Sequence, residues 1–326
     1  MIKRNLIKRV MAAGAIMAVT LSLAGCGIGG SSVKLGAAGV GGGYYAFSNA
    51  FAQRASSEDE DLDFEVKVTA GSTANIRLLS DGYVDMAIAQ ADLVDAAYNG
   101  TGATDKKRYR GYSAVASLYT EACQIVVRAD SGIDNLDDLQ GKKVSVGEEE
   151  SGTQRNAEQI LKMTGLVESL VDTVNLDYVD AANELKSGQI DAFFCTAGIQ
   201  TSVIEELSKE CDVKLIGIDD KCRDRLKSVY GFYTDYTIPA GTYEGQDQDV
   251  ETLGVRAVLL ARDDMDEEIV EELTGLLFEH SQDIQYSIPL TFQIDDSEAV
   301  KNVTIPFHDG AKAYYQKKGI EIPTEQ

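Results

Sequence analysis

Short apolar runs alternate along this chain with longer stretches in which apolar residues recur every three or four positions. The first pattern is that of buried strands, the second that of amphipathic helices. On this reading residues 33–38, 64–69, 85–90, 124–128, 143–146, 176–179, 192–195 and 255–261 are strands. Residues 44–56, 73–79, 92–98, 153–164, 181–186 and 266–280 are helices, and 136–139 form a helical turn closed by Gly141. Asp266, Glu267 and Glu268 at the front of the last helix complement its dipole. The alternation predicts an α/β fold with parallel strands joined by crossover helices. It is interrupted at 238–248, where Pro239, Gly241 and Gly245 mark a loop.

The start of the chain follows a different rule. Lys3, Arg4, Lys8 and Arg9 precede an apolar run over 10–23 that ends in Leu23-Ala24-Gly25-Cys26. The run is shorter than the about 20 residues a spanning helix needs. It reads as a lipoprotein signal peptide over 1–25, with Cys26 as the new N-terminus and the lipid anchor. Residues 26–32 then form a flexible tether. Export places the protein outside the cytoplasm, on the outer face of the membrane. The remaining length suits two domains.

The net charge of −23 becomes −27 once the four leading bases are removed. Such a surface excludes nucleic acid and disfavours anionic lipid as partners. Any anion site must therefore be built locally. Of the five cysteines, Cys26 belongs to the anchor, and Cys123 and Cys195 lie in apolar runs as buried thiols. A disulfide between Cys211 and Cys222 stays open. No cysteine pair has metal-ligand spacing, and the only histidines are His280 and His308, so neither a metal nor a cofactor is expected. With no nucleophile elbow and no histidine near the candidate loops, no catalytic residue is assigned.

Four strand ends lead into helices through small or hydroxylated residues: Gly39 to Tyr45, Ala70 to Asn75, Glu150 to Thr153, and Thr196 to Gly198. Helix N-termini present free N–H groups that receive anions, and open α/β sheets bind ligands at the carboxyl ends of their strands. One terminus gives roughly 0.3–1 kcal/mol, whereas micromolar binding needs about 8 kcal/mol, so several must converge. The alternative for Ser72, Ser151 and Thr153 is plain helix capping. Glu148-Glu149-Glu150 reads as a solvated loop rather than a cation site.

These loops also carry a resemblance. Gly42-Gly43-Tyr44-Tyr45, the stretch 71–79, 84–92, 116–119, 127–133, 139–147, Ser151-Gly152-Thr153 with Asn156-Ala157, 188–194, 238–243 and 306–311 occur in order. Together they resemble the TAXI family, the solute-binding receptors of a subset of tripartite ATP-independent periplasmic (TRAP) transporters. The resemblance implies a type II periplasmic-binding-protein fold with two α/β lobes, a hinge and a ligand cleft. Lobe I would comprise 33–122 plus 238–326 and lobe II 123–237, with hinge strands near Gln124 and Ile238. It implies a monomeric receptor that captures a small organic anion or amino acid, glutamate-like or dicarboxylate, and delivers it to a TRAP membrane permease. Tyr44, Ser72, Asn75 and Gln90 would line one side of the site. Ser151, Gly152, Thr153, Asn156, Ala197 and Gly198 would line the other. The three glutamates at 148–150 and the sequence Cys195-Thr196-Ala197-Gly198 depart from the family pattern, which tilts the expectation toward a zwitterion over a bare dicarboxylate. The alternatives are an ABC-type or sensory receptor, and an enzyme on the same scaffold.

Overall fold

The computed structural model describes residues 32–59, 62–102, 106–167, 169–289 and 294–323. The leader, Cys26 and the tether up to Ser31 lie outside them.

Strand β1 (Val33–Gly36) leads into helix α1 (Gly43–Glu58), β2 (Phe64–Lys67), α2 (Ser72–Ser80), β3 (Met86–Gln90) and α3 (Ala91–Asn99). The long strand β4 (Tyr112–Arg128) follows, then β5 (Lys143–Ser145), α4 (Gly152–Thr164), β6 (Asp172–Val174), α5 (Tyr178–Ser187) and β7 (Ala192–Ala197). Next come α6 (Ser202–Glu210), β8 (Val213–Leu215), α7 (Asp220–Val229), β9 (Thr234–Ile238) and the second long strand, β10 (Val250–Arg262). Helices α8 (Glu267–Glu279), α9 (Ser281–Tyr286) and α10 (Asp309–Lys318) end the described chain.

The strands form one sheet in the order β2-β1-β3-β10-β4-β7-β5-β6, with β8 on β4 and β9 on β10. Pairing is parallel at each end, β2-β1-β3 and β7-β5-β6. The two long strands between them are antiparallel to their neighbours and to each other. A parallel pair needs a crossover, so each end is an α/β unit, and β4 and β10 are the bridges between the two units.

The apolar core divides at the same place. One core gathers Leu35, Phe47, Phe51, Ile76, Ile88 and Tyr119 with Ala257–Ala261 of β10 and Leu273, Leu277 and Tyr315 of α8 and α10. A second holds Cys123, Ile125, Ile160, Phe194, Leu226, Leu253 and Val255, and a third, beside it, Phe193, Ile204 and Leu207. The chain passes between cores within β4, from Tyr119 to Cys123, and within β10, from Val255 to Ala257. Two register shifts interrupt the β4–β10 pairing from Arg256 onward, where extra residues bend a strand locally. The result is a two-lobed α/β molecule.

Most sequence-derived elements are present with shifted ends. Strand β4 is far longer than 124–128 because Ser113, Ser117 and the alanines between them blur the apolar run, yet nearly all of it is buried. Residues 176–179 are not a strand. The strand ends at Val174, and Asp177 caps α5 by accepting a hydrogen bond from Asp180 N at 2.8 Å. That helix stops at Gly188, whose φ of +73° is one that side chains resist. Helices α7, α9 and α10 and strand β8 have no counterpart in the sequence reading, while α6 and β9 correspond to the helix expected after Thr196–Gly198 and the hinge strand expected near Ile238. The four described cysteines are free, so Cys211 and Cys222 form no disulfide.

Candidate functional site

A cavity of about 40 Å³ opens where the two lobes face each other. It is lined by the glycine loop before α1, by Tyr44, Ser72 and Gln90 of the first lobe, and by Ser151, Gly152, Thr153, Tyr178 and Thr196 of the second. Glu121, on the bridging strand β4, reaches it from below, opposite Val255 of β10.

Of the ten residues singled out in the sequence, six line this cavity: Tyr44, Ser72, Gln90, Ser151, Gly152 and Thr153. The other four do not. Asn75 is fully buried beneath α2, where Nδ2 donates to Ala37 O at 2.6 Å and Ile88 O at 2.8 Å while Oδ1 accepts from Thr69 Oγ1 at 2.7 Å. It joins the ends of β1 and β3, which is a structural task. Asn156 sits one turn inside α4. It accepts from Gln90 Nε2 at 3.0 Å and donates to Tyr233 OH at 2.8 Å, so it links the lobes behind the cavity. Ala197 closes β7, and Gly198 accepts a hydrogen bond from Thr201 Oγ1. Helix α6 starts only at Ser202, so the fourth loop has no helix terminus of its own beside the cavity.

The helix termini also differ from expectation. The N–H groups of Thr73 and Ala74 at the front of α2 both donate across the cleft to Glu150 O, at 3.1 and 3.2 Å. That terminus is occupied by the protein itself. Ser72 Oγ accepts from Gln90 N at 3.1 Å, and Ser151 Oγ caps α4 by accepting from Gln154 N at 2.9 Å. Two termini remain directed at the cavity, those of α1 at Gly43 and Tyr44 and of α4 at Gly152 and Thr153, whose first N–H groups have no intrahelical acceptor. Thr153 Oγ1 is already engaged, 2.6 Å from Tyr178 OH and 3.1 Å from Thr196 N.

The three consecutive glutamates have three different fates. Glu149 is exposed. Glu150 takes a left-handed backbone at φ +65°, which turns its carbonyl toward α2, and its carboxylate receives Arg77 Nε at 3.1 Å and Nη2 at 2.7 Å. Both partners are substantially exposed, so this ion pair contributes at most about 1 kcal/mol to closure. Glu148 lines the cavity, and burial followed by Asp177 pushes its carboxyl above its usual range.

The cavity carries one sign of charge. Glu121, Glu148 and Asp177 line it, and among the lining residues there is no lysine, arginine or histidine. Glu121 is 2 % exposed, and its Oε2 accepts from Tyr44 OH at 2.6 Å. Desolvation raises its carboxyl to about 8, opposed by the hydrogen bonds from Tyr44 and Gln90. Burial, and then the neighbouring Glu121, push the Tyr44 phenol up as well. Among the described residues no group of three or more His, Cys, Asp or Glu is placed to hold a metal ion. The sequence reading missed Glu121 and Tyr178, and it named Thr196 only as the start of the fourth loop. The signal for Glu121 was a single acid between Tyr119 and Cys123 in an otherwise neutral buried stretch.

Closure brings backbone within reach of side chain. A Cβ on Gly152 would lie 2.5 Å from Gln90 Cδ, so any larger residue there must displace the buried Gln90 amide or hold α4 away from the first lobe.

Residues 35–319 match the profile of the NMT1-like family. The fold is similar to that of MatC from Rhodopseudomonas palustris, solved with bound malate, with a TM-score of 0.57 at 14 % identity over 88 % of this chain and 96 % of that one. It is equally similar to a protein from Bordetella bronchiseptica RB50, with a TM-score of 0.57 at 16 % identity over 88 % and 98 %. At these identities the likeness is one of fold.

Proposed function

The chain belongs to the NMT1-like family, and we propose that it is an extracytoplasmic, lipid-anchored receptor that captures a small organic anion or amino acid by lobe closure. The observation that carries this reading is the cavity between two separately cored lobes, with the starts of α1 and α4 converging on it from opposite sides. The hinge, in this reading, lies where β4 and β10 pass between cores, near 120–122 and 255–257. Residues 238–253 then move with the second lobe, since Ile238 and Leu253 pack with that half.

Capture follows from differential affinity. A solute that touches both lobes favours the closed form only by the extra contacts it makes there. In the open form each helix terminus faces water. Closure adds the second terminus and excludes solvent, which strengthens each hydrogen bond. The protein's own inter-lobe bonds, Glu150 O with α2 and Gln90 with Asn156, bring the closed form within reach of a modest ligand contribution.

Delivery to a TRAP-type permease and anchoring through Cys26 follow from the resemblance and the leader sequence. Transfer of bound solute into vesicles that hold a TRAP permease, and not an ABC importer, is the expected result. Metabolic labelling with a fatty acid is expected to mark the native chain and not Cys26→Ser.

The receptor reading is tested by a thermal-shift screen of organic acids and amino acids, followed by titration calorimetry. A binder raises the melting temperature in proportion to the logarithm of its concentration. Gly152→Ala is expected to weaken that binder about tenfold or more while the ligand-free melting temperature changes little, because the added methyl group obstructs closure and not either core. Wild-type affinity in this variant would show that the solute does not need the closed cleft.

A further inference from the structure

We propose that the cavity is built around a ligand ammonium group, with Glu121 as its counter-ion and Gln90 Oε1 as a second acceptor, so that the receptor takes α-amino acids in preference to the matching hydroxy acids and dicarboxylates. This deepens the receptor reading above and rests on it.

Two observations carry it independently. The first is the charge of the lining: three carboxylates and no base. The groups that face Glu121 from the surrounding elements do not neutralise it. They are Tyr44 of α1, Tyr119 and Cys123 of β4, Gln90 of β3, Tyr178 of α5, Cys195 of β7 and Asp92 of α3, of which only Asp92 carries a formal charge, and it has the same sign. Burial keeps the Glu121 carboxyl mostly protonated at pH 7, and a ligand that places a cation beside it favours the ionised form and gains the attraction between the two charges. The second observation is Gln90. Its side chain is 2 % exposed and lines the cavity, and its Oε1 is buried without a hydrogen-bond partner. Buried acceptors are nearly always paired, so an unpaired one at a cavity wall marks where a donor belongs. An ammonium has three N–H donors and no acceptor, and it satisfies both groups at once. The ligand's carboxylate then meets the N–H groups at the starts of α1 and α4. A dicarboxylate has no donor for either acceptor and adds charge beside three acids.

The test is titration calorimetry of the full chain with matched probes: L-aspartate, L-malate and succinate; L-glutamate, 2-hydroxyglutarate and glutarate; L-alanine and lactate. In at least one series the amino member is expected to bind roughly tenfold or more tightly than its hydroxy and deaminated partners, since removal of one charge-assisted bond has that size. Glu121→Gln is expected to shrink that gap and to leave the hydroxy acids bound as well as before, or better. Binding of the ammonium at pH 7 is also expected to release a proton from Glu121, seen as a dependence of the measured heat on the buffer. Equal or tighter binding of malate, succinate or glutarate overturns the ammonium assignment and leaves the receptor reading standing. No binding by any probe, with no hit in the wider screen, overturns both. The comparison of probes on the wild-type chain decides the matter even if the variant fails to fold.

Discussion

Glu121→Gln is expected to make the ligand-free protein more stable at pH 8, and this gain should fade as the pH falls to 5. The carboxyl is raised from 4.5 to about 8 by burial in the folded chain. A group raised in this way binds its proton more tightly folded than unfolded. Below about 4.5 it is neutral in both states and imposes no penalty. Between about 4.5 and 8 the unfolded chain loses the proton first, so stability falls as pH rises, by up to about 4–5 kcal/mol across the window. Glutamine keeps an acceptor for Tyr44 OH and never ionises. Urea unfolding of both proteins at pH 5, 6, 7 and 8 measures the difference directly. Asp92, whose carboxyl burial raises to about 6, is present in both proteins, so most of its own pH dependence cancels in the difference. A wild-type excess in stability that stays constant from pH 5 to 8 would rule the argument out. A site that costs the empty protein stability is reasonable where the solute repays it on binding.

The second large effect concerns a residue whose role the structure changes. Asn75→Ala is expected to lower stability by about 2–3 kcal/mol, since it leaves the Ile88 carbonyl without its Asn75 donor and the Ala37 carbonyl with only the Thr69 hydroxyl at 3.2 Å. The family resemblance instead places Asn75 on one side of the site, where its loss would weaken binding with little change in fold. Asn75 lies under the cavity wall and not in it, so affinity should fall only as far as the loose ends of β1 and β3 displace Ser72 and Gln90. Chemical denaturation paired with calorimetry at low temperature separates the two outcomes. Full stability with binding abolished would mean that Asn75 touches the solute.

Much of this architecture is legible in the chain. The apolar periodicity yields α1 through α5 and α8 with errors of a residue or two at most ends. Gly141 after the helical turn and Asp266, Glu267 and Glu268 at the front of α8 mark ends because their chemistry is local. The glycine loop before α1 and the Ser151-Gly152-Thr153 turn stand out for the same reason, and both line the cavity. Failures occur where a residue's partner is distant in sequence. Thr73 and Ala74 look like free donors until Glu150, some seventy positions away, places its carbonyl against them. Asn156 looks like a site residue until Gln90 and Tyr233 claim its amide. Ala197 and Gly198 precede an expected helix that starts later, because Gln200 adopts a left-handed backbone at φ +62° before Ser202.

An α/β chain, the order of most of its elements and most of the loops that line the cavity follow from neighbours within a turn or a strand, and so could be read from local pattern alone. Which loops face each other, which helix terminus is already occupied, and that Glu121 lines the cavity between the lobes emerge only once the chain is folded. Those facts depend on how β4 and β10 carry the chain from one core to the other, and the electrostatics of an enclosed space depend on everything that surrounds it.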